Sequence, residues 1–165
     1  GELLWYAAGT KGYAPSGRSG IPIEWRVSPS SGGLHPIHIV CVPPPHEDGV
    51  ILYDSFQHQF GRLKLDARAV VQANAESVAA VVGESPGWTL RFIADFDKIS
   101  AAYENAWSLV LRDAGCLIMT ICLCAEWLGL SACPLGFLGQ ALCVPLGFPG
   151  ERFKAVGGVH LTSPA

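Results

Sequence analysis

The run from Ala106 to Leu128 constrains this chain more than any other stretch. Its apolar residues first follow one helical stripe, leaving Asn105, Ser108 and Arg112 outside, and after Asp113 they occupy every side. A helix apolar all round has to be covered, so a long buried central helix is expected. Ala114–Leu130 is apolar enough to raise a membrane span. Glu126 interrupts it, however, and Gly129, Pro134 and Gly136 follow closely, which favours the buried helix of a soluble domain. Only 15% of the 165 residues are charged. Such a surface points to cover by a second subunit, and equally suits a poorly soluble fragment.

A second stretch, Arg26–Pro36, reads Arg-Val-Ser-Pro-Ser-Ser-Gly-Gly-Leu-His-Pro and leads into the apolar strand Ile37–Val42. Pro29 stiffens it, while Gly32 and Gly33 allow positive φ and close approach of the backbone to another surface. It suits a ligand-contacting loop, and it also suits an ordinary tight connection into a buried strand.

Around these two stretches the chain reads as a short helix over Glu2–Ala8 and a long irregular loop over Thr10–Gly33. A hairpin follows from Gly49–Ser55 and His58–Leu63. Asp66 caps a helix over Ala67–Val82 that turns Val70, Val71, Val78, Val81 and Val82 inward and stops at Gly83. Strands are expected at Trp88–Phe96, Ser131–Phe137 and Arg152–Thr162, a helical region from Asp97, and a helical turn or two at Leu138–Leu142. This pattern predicts an α+β layer fold in a single domain.

The composition narrows the chemistry. A formal charge of −3 with scattered Lys and Arg leaves no basic stripe for nucleic acid. Cys116, Cys122, Cys124, Cys133 and Cys143 sit among Leu, Ile, Ala and Pro without the spacing of a disulfide scaffold, and read as reduced core fillers. Cys122 and Cys124 stand two apart on a helix, and His35 and His38 three apart near a strand. Neither pair can face one ion, so no metal site is expected. His46-Glu47-Asp48 reads as a solvated loop. No basic segment precedes an apolar core at the start, so no secretory signal is visible, and a cytoplasmic protein with no membrane partner is expected. No Gly-x-Gly-x-x-Gly follows a strand, and Gly17-Arg18-Ser19-Gly20 is one residue short of a hydrolase elbow.

Four motifs occur in order: Arg26…Pro29-Ser30-Ser31-Gly32-Gly33-Leu34-His35-Pro36 before a strand, Tyr53-Asp54…His58, Leu111-Arg112-Asp113-Ala114-Gly115, and Ala125-Glu126-Trp127 through Cys133-Pro134-Leu135-Gly136-Phe137. Together they resemble the flavin-dependent nitroreductase superfamily. More narrowly they are similar to the SagB-type dehydrogenases, which include azoline oxidases of peptide natural-product pathways. The resemblance spans about residues 26–160. It implies a central mixed sheet flanked by helices, and a homodimer with FMN in the interface. Pro29, Ser30, Ser31 and Gly32 would lie against the flavin ring, with Arg26 beside them in the cofactor-binding set. Pro134, Leu135 and Gly136 would offer backbone amides to its reactive edge, and Arg152 and Lys154 would face the phosphate.

Two departures stand out. The family's opening Arg-x-Ser-x-Arg segment has no counterpart before Trp5, as though an N-terminal piece were missing. The Lys-Tyr pair that handles protons in azoline oxidases appears as Ala102-Tyr103, which leaves Tyr103 as the catalytic candidate. Lys98, one helical turn before Ala102, either substitutes for the lysine or is simply solvated. Two functions are compatible with these residues. One is an FMN oxidoreductase acting on a small molecule, such as a nitro compound or quinone-like acceptor, or on an azoline-bearing peptide. The other is a degenerate, FMN-free binding or scaffolding module.

Overall fold

Strand β3 (Ile37–Val42) sends Ile37, Ile39 and Cys41 into one core and Val40 and Val42 into another. That period of two, with both faces apolar, is why a nearly continuous hydrophobic run lies at the middle of the sheet. In the computed structural model, which describes residues 1–17 and 20–163, β3 lies between β4 (Ile51–Asp54) and β6 (Trp88–Asp95). With β5 (Gln59–Arg62), β7 (Ser131–Leu135) and β8 (Phe153–Thr162) the order is β5-β4-β3-β6-β8-β7. The α+β layer expectation holds, and the sheet is antiparallel at every junction rather than mixed. Pro134 is tolerated in β7 because that strand lies at the sheet edge.

One face of the sheet is covered by α1 (Glu2–Ala8), α3 (Phe96–Ser100) and α4 (Ala106–Trp127). The other is covered by α2 (Ala67–Val82) and the segment from Leu142 to Phe148. Helix α2 begins where the Asp66 side chain accepts from the Ala69 amide, and ends at Gly83 with φ 78°.

Helix α4 is the long helix expected, about 33 Å at 1.5 Å per residue, and it is long and apolar enough to cross a membrane by length and composition. Burial on all sides is met on one face only. Val110, Ala114, Leu117, Ile121 and Ala125 pack inward, whereas Met119, Leu123 and Trp127 are 58%, 63% and 69% exposed. The outward residues Trp107, Leu111, Gly115, Met119, Leu123 and Trp127 recur every fourth position and form one ridge along the helix.

Other expectations need correction. The irregular loop over Thr10–Gly33 contains a small hairpin of β1 (Gly12–Ala14) and β2 (Ile23–Trp25), extended by the Lys11 amide donating to the Trp25 carbonyl. The expected strand Trp88–Phe96 ends at Asp95, because that side chain caps α3 by accepting from the Lys98 amide. Val81 is exposed and Val82 only half-buried, since the turn of α2 that carries them extends past the core. The turn near Leu142 is a single 3-10 turn, Gln140–Leu142. Arg18 and Ser19, in the near-elbow motif, lie outside the described residues.

Candidate functional site

Asp113 is the buried carboxylate of α4, and it organises the glycine loop. Its Oδ2 accepts from Ser30 Oγ at 2.6 Å, its Oδ1 from Ser31 Oγ at 2.9 Å, and the Ser31 amide donates to both oxygens at 3.0 Å. Ser30 Oγ in turn accepts from the His35 amide at 2.9 Å. The loop is therefore fastened to α4 by charge-assisted bonds and does not drape freely over it.

Above that anchor the backbone turns left-handed at Gly32 and Gly33, with φ 64° and 67°. A Cβ on Gly32 would stand 2.6 Å from the Tyr103 hydroxyl, so Gly32, left bare, lets Tyr103 close over the loop. Tyr103 and the Ser30–Gly32 backbone thus form one surface.

Beneath the loop lies a polar cluster. Glu24 pairs with Arg26 at 2.7 Å and accepts from Thr10 Oγ1. Burial alone would raise the Glu24 pKa, but the bonds from Thr10 and Arg26 outweigh it and hold the carboxyl below its ordinary value. His35 Nε2 lies 3.1 Å from the Glu24 carbonyl, which assigns the ring proton to Nε2. Burial first, and then the Arg26 charge, push His35 down to about 4, so its imidazole is neutral at neutral pH. Lys98 is half-buried rather than solvated, and burial lowers its pKa against the opposing charges of Glu24 and Asp95.

The two basic residues expected at the phosphate end differ from each other. Arg152 forms a fork with Asp95, Nε to Oδ1 at 3.0 Å and Nη2 to Oδ2 at 2.6 Å, and adds Asp97 at 3.6 Å. Asp95 is thereby held below its ordinary value even though burial opposes this. Arg152 is thus an intramolecular partner of Asp95, with its side chain still half-exposed. Lys154, opposite Ala94 in the sheet, is half-buried with no such fork. Arg26 is likewise committed to Glu24.

The turn after β7 completes the set. Pro134 has no amide hydrogen, Leu135 is buried, and Gly136 is exposed with open space where a Cβ would stand. The Leu135 carbonyl and Ile118 of α4 both lie 3.9 Å from the position of a Cβ on Gly157. Ile118 follows Asp113 by five residues, about 7.5 Å along the helix axis. One stretch of α4 therefore carries both the anchor of the glycine loop and a neighbour of the β7 turn. The cavity lined by Pro29, Ser30 and Asp113 holds only about 20 Å³, far too little for a cofactor, and Gly32 outside it is exposed in a single chain.

Asp113, Glu24 and His35 received no role from the sequence. The available signal for Asp113 was an acid inside an apolar helix, which must find donors when buried.

Solved structures with this architecture decide the fold. A chain from Anabaena variabilis assigned as a nitroreductase superposes with a TM-score of 0.79 at 21% identity, covering 98% of this chain and 34% of that one. The chain has the nitroreductase fold. A component of the E. coli microcin synthetase McbBCD complex, with truncated pro-MccB17 bound, gives a TM-score of 0.77 at 15% identity over 99% of this chain and 62% of its own. A Desulfovibrio desulfuricans chain assigned as a nitroreductase, in complex with FMN, gives 0.55 at 17% identity, with 84% and 67% covered. The chain thus spans about a third of the first of these nitroreductase-fold chains and 62% of the second. No family model and no curated protein sequence matches it.

Proposed function

We propose that this chain is one half of a homodimeric flavin site, an FMN-dependent oxidoreductase that exchanges two electrons with a small molecule or an azoline-bearing peptide. The observation that carries the reading is the Ser30–Gly32 backbone, locked to Asp113, with Gly32 exposed and lacking a side chain of its own beside the Tyr103 hydroxyl. A flat ring needs such a surface, and an ordinary connection does not. The FMN-bound neighbour supports the cofactor, and the microcin synthetase component supports the peptide class.

The residues fit the ring end of FMN. FMN, when bound, supplies the hydride chemistry. Pro29, Ser30, Ser31 and Gly32 would position the ring, the exposed Gly136 turn would offer its amide to the ring's edge, and Tyr103 Oη would hold or deliver the proton that accompanies hydride transfer. At the phosphate end Lys154 is the residue this chain offers. The apolar ridge of α4 packs on its counterpart in a second copy, with Gly115 at the crossing, and that copy closes the open surface.

A degenerate, FMN-free module is the second reading, favoured by one observation: Arg26 and Arg152 are both neutralised within the chain. Titration of the purified protein with FMN separates the two. Saturable uptake with a shifted flavin spectrum supports the enzyme, and no uptake by an intact dimer supports the module.

A further inference from the structure

The α2 face of the sheet buries a charge that the flavin site does not use. Arg91, in the middle of β6, is 2% exposed, and its Nε donates to Asn74 Oδ1 at 2.7 Å. Asn74 Nδ2 donates to Thr89 Oγ1 at 3.0 Å, and Thr89 meets His160 Nδ1 at 3.0 Å. His160 Nε2 lies 3.1 Å from the Ser85 carbonyl, so the ring donates there and accepts from Thr89. Every member of this chain is therefore satisfied except its first. Arg91 Nη1 and Nη2 are the two buried side-chain nitrogens without a partner among the described residues.

A guanidinium left in that state is costly, because burial removes the water from Nη1 and Nη2 and the Phe137 ring over the guanidinium offsets only part of that loss. Burial moves its pKa down to about 10, so it stays charged at neutral pH, with no carboxylate among the described residues opposing the shift. The Phe137–Gly139 segment lies against this guanidinium. The Phe137 ring lies 4.6 Å from the guanidinium carbon, and Gly139, at φ 84°, passes so close that a Cβ there would stand 3.1 Å from Nη1. Leu138 and Gln140 beside them are exposed, so this segment runs at the surface.

We propose that Arg91 is the base of a site for a small planar oxyanion of the carboxylate or nitrate class, which enters beneath the Phe137–Gly139 segment. The two terminal nitrogens present parallel N–H groups, a fork that two oxygens on one centre satisfy together and a spherical ion does not, and the close Gly139 backbone favours a flat ion over a bulkier tetrahedral one. Gly139 keeps that edge clear, as any side chain there would close it.

The test is thermal melting of the full chain without flavin, at fixed ionic strength, with chloride replaced stepwise by formate or nitrate and, in a control, by sulfate. The expected result is a saturable rise in Tm with formate and nitrate only. Arg91→Met, which keeps much of the volume, and Arg91→Gln, which removes the charge while retaining an amide donor for Asn74, should both lose the rise. A non-saturating shift, an equal response to sulfate, or the same rise in wild type and variants overturns the site. Should both variants fail to fold, the wild-type titration decides alone: saturation by the planar ions only supports the site, and its absence overturns it. Because no flavin is present, the outcome is independent of the FMN reading.

Discussion

The hydroxyl of Tyr103 stands 2.6 Å from the point where a Cβ on Gly32 would begin. A substitution at Gly32 therefore has two costs, a left-handed backbone and a collision with Tyr103. Gly32→Val should lower stability by about 2–4 kcal/mol, from φ strain and overpacking together, and should abolish FMN binding. Urea melts beside a flavin titration measure both. An unchanged melt would mean that Tyr103 does not rest on the loop. Tyr103→Phe is the gentler probe: it should keep FMN binding within a few-fold while turnover falls about 10²-fold, the usual scale for a lost proton-transfer group.

Asp113 holds the loop through Ser30 and Ser31. Asp113→Ala strands buried donors and should cost about 2–3 kcal/mol. Hydrogen exchange at Ser31 and His35 should quicken more than exchange in β3. Equal acceleration of both would show that Asp113 supports the whole fold rather than the loop.

His35 gives the protein a specific acid weakness. Its folded pKa of about 4 lies below the ordinary histidine value near 6.5, so between those values the unfolded chain binds more protons than the folded one. Its contribution is full above pH ~6.5 and is lost as the pH falls toward ~4. His35→Asn, which tolerates the φ of 45°, should flatten that part of the stability curve relative to wild type. Parallel curves would assign the acid sensitivity to other groups.

Arg152 and Lys154 should behave differently toward flavins. Arg152→Ala should weaken FMN and riboflavin alike, because Arg152 serves Asp95. Lys154→Ala should weaken FMN by on the order of tenfold and leave riboflavin unchanged, the mark of a charge-assisted contact to phosphate. Isothermal titration with both ligands checks the pair. The opposite pattern would return the phosphate to Arg152.

The exposed ridge of α4 predicts a dimer. Sedimentation at micromolar concentration should give twice the chain mass, and Leu123→Arg, at a position 63% exposed in the single chain, should yield a monomer that no longer takes up FMN. A wild-type monomer would remove the basis for an interfacial site.

What could be read from the sequence was mostly local. Asp66 and Gly83 bracket α2 because caps act within a turn, and the apolar run Ile37–Val42 marks β3 because its neighbours in the sheet leave neither face wet. The β1–β2 hairpin was invisible because strands of three residues carry no alternation. The outer face of α4 was legible as apolar, but composition alone does not distinguish cover by the same chain from cover by another. The site was legible in its glycines and serines, whose conformations are local requirements. It was not legible in its charges, since Arg152 finds Asp95 across 57 residues and Ser30 finds Asp113 across 83. Those pairings exist only once the sheet and α4 have formed.

The most direct test of the account is the visible spectrum of the purified dimer equilibrated with FMN and freed of excess. The account predicts retained flavin absorbing in the blue, one per chain, lost together with the dimer in Leu123→Arg. An intact dimer that retains no FMN after equilibration at tens of micromolar would contradict it.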